Sequence, residues 1–363
     1  MTTILMVGTR KGLWLGTSDD ARQEWEFSGP HFPMEEVYSV LLDRRGTAPR
    51  LLAGCSSSWF GPQVRRSDDL GGTWTETPNG AVRFPEDTGQ ALARVWQLVP
   101  GTEDGVVWAG TEPGAIFRSA DGGETFELVR GLWDHPHRTE WNEGFGGQAF
   151  HTILPHPADP ARVLAAISTG GVYRTKDAGA TWQASNTGVK AEFMPGERFF
   201  PEFGQCVHKV ARDAADPDRL YLQNHGGVYR SDDGGSTWDD IASGLPSEFG
   251  FAMVAHPTEA DTAYTFPISD AGARWPVDGR ARVWGTRDAG ASWTELGGGT
   301  LPDQYYAAVM RDAMCADDQT PAGLYFGGRN GVVWGSADEG DTWRQLIVDL
   351  PDVLVVRAAR VDA

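Results

Sequence analysis

One eight-residue pattern recurs along this chain and limits its fold more than any other feature. Ser67-x-Asp69-x-Gly71-x-Thr73-Trp74 returns at Ser119–Phe126, Thr175–Trp182, Ser231–Trp238, Thr286–Trp293 and Ser336–Trp343. A degenerate copy holds Thr17, Asp19 and Trp25 without the glycine. The aromatic ends lie 49 to 56 residues apart, a period that marks an array of supersecondary units. Each copy has the chemistry of a turn. The Asp can accept from backbone N–H groups ahead of it, and the Gly supplies a positive φ. A β-rich run precedes each copy, as in Gly171-Val172-Tyr173 and Gly227-Val228-Tyr229. Two more apolar runs lie upstream, as in Phe150–Leu154 and Val163–Ile167.

Four strands per unit of about 50 residues is a propeller blade. The expected fold is therefore all-β: a single seven-bladed β-propeller spanning 1–363. The blades fall at roughly 36–78, 94–130, 150–186, 207–242, 251–296 and 307–346, with a last one built from 352–360 and 3–28. The last assignment follows from a match between the ends. Met6-Val7-Gly8-Thr9-Arg10-Lys11-Gly12-Leu13-Trp14 reads like Tyr325-Phe326-Gly327-Gly328-Arg329-Asn330-Gly331-Val332-Val333. The chain then starts on the second strand of a blade whose innermost strand is Val353–Arg357.

Composition excludes several function classes. The chain's 50 acidic residues against 31 Lys and Arg give a net charge of −19. That argues against a nucleic-acid partner and against docking on anionic membrane. Three cysteines cannot make a disulfide framework. The first residues lack a basic stretch ahead of an apolar core, so the expectation is a cytoplasmic protein without a signal peptide.

The repeated hairpin resembles the Asp-box, or BNR repeat, known from sialidases. The whole-chain pattern resembles actinobacterial YVTN/BNR-like repeat proteins, loosely called glycosyl hydrolases. Asp-boxes also occur in seven-bladed xyloglucanase modules and photosystem assembly factors. There they sit on the rim, which implies a structural role for the repeated aspartates. The Arg-Ile-Pro element of sialidases is absent here. Seven blades resemble the xyloglucanase and assembly-factor groups more than the six-bladed sialidases.

A site is expected where the loops entering the innermost strands meet those joining second and third strands. A smaller repeat lies there: Gly147-Gln148-Ala149-Phe150-His151 matches Gly204-Gln205-Cys206-Val207-His208. With His225, the histidines His151 and His208 form a candidate set of ligands for a divalent transition metal. Alternatively they are acid–base groups, or packing units copied by blade duplication. Gln148 and Gln205 would orient them or the substrate. Glu143 and Glu202 are the candidate catalytic carboxylates, since a glycosidase needs a pair flanking the scissile bond. Glu36 and Glu248 enter the same face. Trp141, Tyr305 and Tyr306 are candidate stacking platforms, and Arg274 a candidate cation for an anionic substrate. Cys206 reads as core, and His156 and His256 as surface turns. The expected activity is hydrolysis or lyase chemistry on a saccharide or related polar small molecule. The alternative is a non-catalytic binding or assembly scaffold with a protein partner.

Overall fold

The computed structural model describes residues 1–77, 80–142, 144, 147–191 and 199–361. Glu143 and Phe145 lie outside them. Nearly all of the regular structure among the described residues is strand. The repeated turn explains why, because it closes each hairpin with its own hydrogen bonds. In the copy at Ser231, the Ser Oγ donates to Asp233 at 2.8 Å and accepts from Gly235 N–H at 2.9 Å. Asp233 accepts from both the backbone and the hydroxyl of Thr237. The same four bonds form around Asp69, Asp121, Asp177, Asp288 and Asp338. These bonds hold the carboxylate's charge. The Thr73 backbone N–H, then the Ser67 and Thr73 hydroxyls, pull the Asp69 carboxyl down to about 2. The glycine is required for two reasons. Gly290 has φ +88°, and a Cβ there would lie 2.4 Å from the Ile241 side chain of the preceding unit.

The hairpins build antiparallel meanders. Five are separate four-stranded sheets. The first runs β4 (Glu35–Asp43), β5 (Arg50–Ser57), β6 (Gly61–Ser67) and β7 (Thr75–Glu76). The second runs β8 (Arg94–Pro100), β9 (Val107–Glu112), β10 (Ala115–Ser119) and β11 (Glu127–Leu128). The third runs β12 (Phe150–His156), β13 (Asp159–Ile167), β14 (Gly171–Thr175) and β15 (Gln183–Ala184). The fourth runs β16 (Val207–Arg212), β17 (Leu220–Asn224), β18 (Val228–Ser231) and β19 (Asp239–Asp240). The fifth runs β20 (Gly250–Ala255), β21 (Ala263–Pro267), β22 (Val283–Thr286) and β23 (Thr294–Leu296).

The remaining strands form one eight-stranded sheet. One half is β24 (Val309–Ala316), β25 (Leu324–Gly328), β26 (Val333–Ser336) and β27 (Arg344–Ile347). The other is β28 (Val353–Val361), β1 (Thr2–Thr9), β2 (Gly12–Ser18) and β3 (Glu26–His31), taken from both ends of the sequence. A single parallel bridge, Asp312 to Val355, joins the halves. β1 and β28 pair antiparallel from Thr2–Val361 to Thr9–Val353.

The innermost strands touch in a closed cycle: β28, β4, β8, β12, β16, β20, β24 and back to β28. Radial meanders around a common axis are a β-propeller. Apolar clusters fill the spaces between meanders. One gathers Leu164, Leu220, Tyr229 and Trp238 from the third and fourth sheets. The turn tryptophans stitch neighbours together: Trp238 Nε1 donates to Ser185 O and Trp293 Nε1 to Ile241 O. The degenerate turn does this differently. Arg22, buried with φ +54°, pairs with buried Asp317 at 3.0 Å and donates to the Pro321 and Ala337 carbonyls. Among the described residues, no helix is long and apolar enough to cross a membrane.

His156 and His256 depart from the surface turns expected of them. They do sit at turns, but both are buried. Their Nδ1 atoms accept from the backbone N–H of Ala158 and of Thr258 and Glu259.

Candidate functional site

Every innermost strand carries a bulge or register irregularity just after its first residues. A bulge leaves one residue outside the ladder and re-aims its side chain. The residues skipped are Tyr38, Trp96, His151 and His208, with Phe251, Met310 and Leu354 in the corresponding irregular stretches. Six of these line two cavities that share Arg274, Met310 and Arg311 as a common wall.

The outer cavity, the axial mouth, holds about 340 Å³ and is bordered by Tyr38, Trp96, Arg10, Arg94, Glu112 and Arg329. An alternating chain of charge runs around it. Arg329 and Arg10 share Asp352 at 2.8 and 3.4 Å. Arg10 reaches Glu36 at 2.6 Å, and Arg94 reaches both Glu36 at 3.7 Å and Glu112 at 2.9 Å. Trp96 Nε1 donates to the same Glu112 oxygen at 2.9 Å. Burial alone would lower the Arg10 and Arg94 guanidinium pKa values, but Tyr38 and the paired carboxylates hold both above the ordinary range. The Tyr38 and Trp96 rings lie 5.0 Å apart, with Arg94 over Tyr38.

Below the mouth an ion network spans the axis. Lys209 Nζ donates to Asp312 at 2.8 Å, to His151 O at 3.0 Å and to Gln97 at 3.2 Å. Arg357 pairs with the same Asp312 carboxylate. Burial alone would raise the Asp312 carboxyl, but Lys209 and Arg357 pull it below the ordinary range.

The inner chamber holds about 420 Å³. His208 Nδ1 donates to Gly250 O at 2.5 Å, which fixes the tautomer and leaves Nε2 as a lone-pair donor. That Nε2 lies 3.6 Å from Cys206 Sγ. Ligand atoms of Cys206, His208 and His225 all fall within 4.8 Å of one another. Burial, then Arg311, pushes His208 well below its ordinary pKa, so the ring is neutral at pH 7. Cys206, expected as core, instead lines this chamber at its edge, because it precedes the first residue of β16.

The other expected residues fall variously. Both nitrogens of buried His151 are engaged, Nε2 with Val207 O at 2.9 Å and Nδ1 with Thr152 at 3.0 Å. His151 is not part of the Cys206–His208–His225 group. Gln148 donates to Trp141 O, and Gln205 to the Val189 and Pro201 carbonyls. These amides tie down loops, while His151 and His208 make their own bonds to backbone carbonyls and Thr152. Trp141 is buried with its N–H on Tyr173, and Tyr305 is buried too. Tyr306 is exposed against Trp275. Glu202 is exposed, and Glu143 is outside the described residues. Arg274 lines both cavities.

Arg10, Arg94, Glu112, Lys209, Arg311 and Asp312 were not anticipated. A signal existed for two of them. Arg10, Glu112, His225 and Arg329 hold one equivalent place at the end of the second strand of their units, Glu112 as its last residue and the others directly after it. Aligning the units on that loop brings out a polar position that changes identity from repeat to repeat.

No family model matches the chain. It is 26% identical over 215 residues to the probable oligoxyloglucan-reducing end-specific xyloglucanase of Neosartorya fischeri, covering 51% of this chain and 25% of that protein. It is 25% identical over 289 residues to a Paenibacillus xyloglucanase, covering 68% of this chain and 25% of the relative. The chain thus spans about a quarter of the length of these enzymes. Among solved structures, an ancestral GH74 enzyme superposes with TM-score 0.57 at 16% identity, over 86% of this chain and 38% of that one. YCF48 from Cyanidioschyzon merolae superposes with TM-score 0.53 at 14% identity, over 87% of both chains. These likenesses establish the propeller fold.

Proposed function

We propose that this chain is a seven-bladed, Asp-box-type propeller that binds a saccharide at its axial mouth and hydrolyses it as a glycoside hydrolase does. The count of seven takes the eight-stranded sheet as two blades. The observation that carries the activity is the mouth itself. A cavity of about 340 Å³ is lined by Glu112 and by a ring pair, Tyr38 and Trp96, suited to sugar faces, and Glu112 shares Arg94 with a second carboxylate, Glu36, beside it. Glu36 and Glu112 can be no further apart than their two contacts plus the width of one guanidinium. That bound keeps them below the upper end, roughly 9.5 Å, of the separations that glycosidic chemistry uses. One carboxyl would protonate the leaving oxygen, and the other would attack the anomeric carbon or activate water. Arg10 and Arg94 would set which of the two carries the proton. The xyloglucanase relatives support a saccharide as the ligand.

The test is sugar release from xyloglucan-derived and other oligosaccharides by wild type, Glu36→Gln and Glu112→Gln. Each variant is expected to lose at least 100-fold in kcat with KM little changed. Full activity in both variants would overturn the assignment. Saccharide binding without turnover in wild type would support a scaffold. That reading has its own feature: Trp59 and Phe60, 81% and 78% exposed in the loop joining β5 to β6.

The inner chamber offers a metal-assisted variant of the reading. Cys206, His208 and His225 are soft and imidazole ligands of the kind Zn favours. A near-stoichiometric metal in untagged protein, lost in Cys206→Ala/His208→Ala, is the expected result. No metal after soaking with Zn, Mn, Fe and Cu would remove it.

A further inference from the structure

The inner chamber also holds two cations that the described protein does not neutralise. Arg311 is 7% exposed, yet no carboxylate of the described residues lies within 4.0 Å of its guanidinium. The neighbouring carboxylate, Asp312, is taken by Lys209 and Arg357. Arg311 uses one Nη2 hydrogen, on Ser168 Oγ at 3.3 Å, and its Nε has no partner. The Arg274 guanidinium likewise has no carboxylate among the described residues, and its Nε donates to Ala271 O. Both guanidinium carbons lie near one ring, 5.3 and 5.6 Å from the centre of Phe251. Ring faces offset part of the cost of burying a cation, but an uncompensated buried charge remains expensive. This arrangement sits in a chain of net charge −19, where carboxylates for pairing are abundant. The rest of the wall is mostly apolar or aromatic, with Phe249, Phe251, Met310 and Ala271, and its other polar members are Ser168, Thr169 and the Cys206–His208–His225 group. A volume of about 420 Å³ is that of a small-molecule pocket, in which a few polar groups fix a largely apolar ligand.

We propose that the inner chamber binds a small organic carboxylate with a flat apolar body. The carboxylate lies on Arg311 and Arg274, as guanidinium forks accept it in pairs, and the body lies against Phe249 and Phe251. The inference goes beyond the hydrolase reading and does not rest on it, because its readout is binding alone.

The test is calorimetric titration of the full chain, stripped with EDTA so that a resident metal does not enter. The probes are benzoate and cyclohexanecarboxylate, their neutral amides, and inorganic phosphate. The acids are expected to bind at least tenfold more tightly than the amides, and phosphate, which lacks the apolar body, more weakly than benzoate. Arg311→Gln and Arg274→Gln are each expected to weaken benzoate at least tenfold while Glu36→Gln leaves it unchanged. Arg274 is in a loop, so its variant keeps the test decisive if Arg311→Gln does not fold. Equal affinity for acid and amide, unchanged benzoate affinity in folded Arg274→Gln, or no binding of either acid would overturn the proposal.

Discussion

His151 and His208 come from one duplicated motif, yet burial gives them different work. Each makes a bond to a carbonyl of the next inner strand, Val207 O and Gly250 O respectively. His151 has its second nitrogen engaged by Thr152, whereas His208 turns its second toward Cys206. Both rings are held well below their ordinary pKa, by burial first and Arg311 second. The unfolded chain therefore takes up more protons as the pH falls. The stability tied to neutral rings is fully present above about 6.5, the unfolded value, and is lost as the pH drops below it. We expect the melting temperature to fall between pH 7 and 5, and the fall to be shallower in His151→Asn. An acid limb identical in wild type and variant would remove His151 from that account. The twin histidines were legible in the sequence as a pair. The difference between them was not, because it depends on Thr152 and Cys206 and on which neighbour each ring meets. Arg10 and Arg329 were visible as a variable polar loop position, but their pairings were not, since those arise with residues such as Asp352 that the repeat does not align with them.

At the scale of the element, the turn and the bulge contrast in how openly the sequence declares them. The turn uses specific side chains at fixed offsets, so six copies announce six hairpins, and strand order follows. The bulge needs no particular residue and adds only one position, so strand spacing does not reveal it. Yet the bulge sets the site, by taking Tyr38, Trp96 and His208 out of register. The turn makes a quantitative prediction. Ser231→Ala strands the buried Gly235 N–H and removes the two bonds between Ser231 Oγ and Asp233, at a cost of about 1–3 kcal/mol. Gly290→Ala is expected to cost about 1–2 kcal/mol from φ alone, and more from the clash with Ile241. Urea unfolding of both variants checks this. Neither is expected to change ligand binding, since these turns are not among the residues bordering either cavity.

At the scale of the whole molecule, the axis is held by charge as well as by strand contacts. Lys209 on β16, Asp312 on β24, Arg357 on β28, Gln97 on β8 and the His151 carbonyl on β12 meet in one network. Asp312→Asn removes the counter-charge of two cations, Lys209 and Arg357, that are only partly exposed, and is expected to cost about 3 kcal/mol, the lower end for a buried pair. Lys209→Met in the same background is expected to recover part of that loss, which a double-mutant cycle by urea unfolding measures. Strictly additive costs would show that the pair is not coupled. Nothing in the spacing of the repeats marks this network, since its members are far apart in sequence and share no motif.

The pairing of β1 with β28 also fixes an order of events during synthesis. Among the described strands, β1 is made first and its ladder partner last. At roughly 5–20 residues per second, an interval of about 20–70 s separates their emergence. Throughout that time β1 presents an edge with unpaired N–H and C=O groups, the kind of template that recruits other chains. Circular permutation that opens the ring inside a loop between complete meanders would let both strands be made close together. Such a rearranged gene should yield more soluble protein at high expression, with the same finished ring.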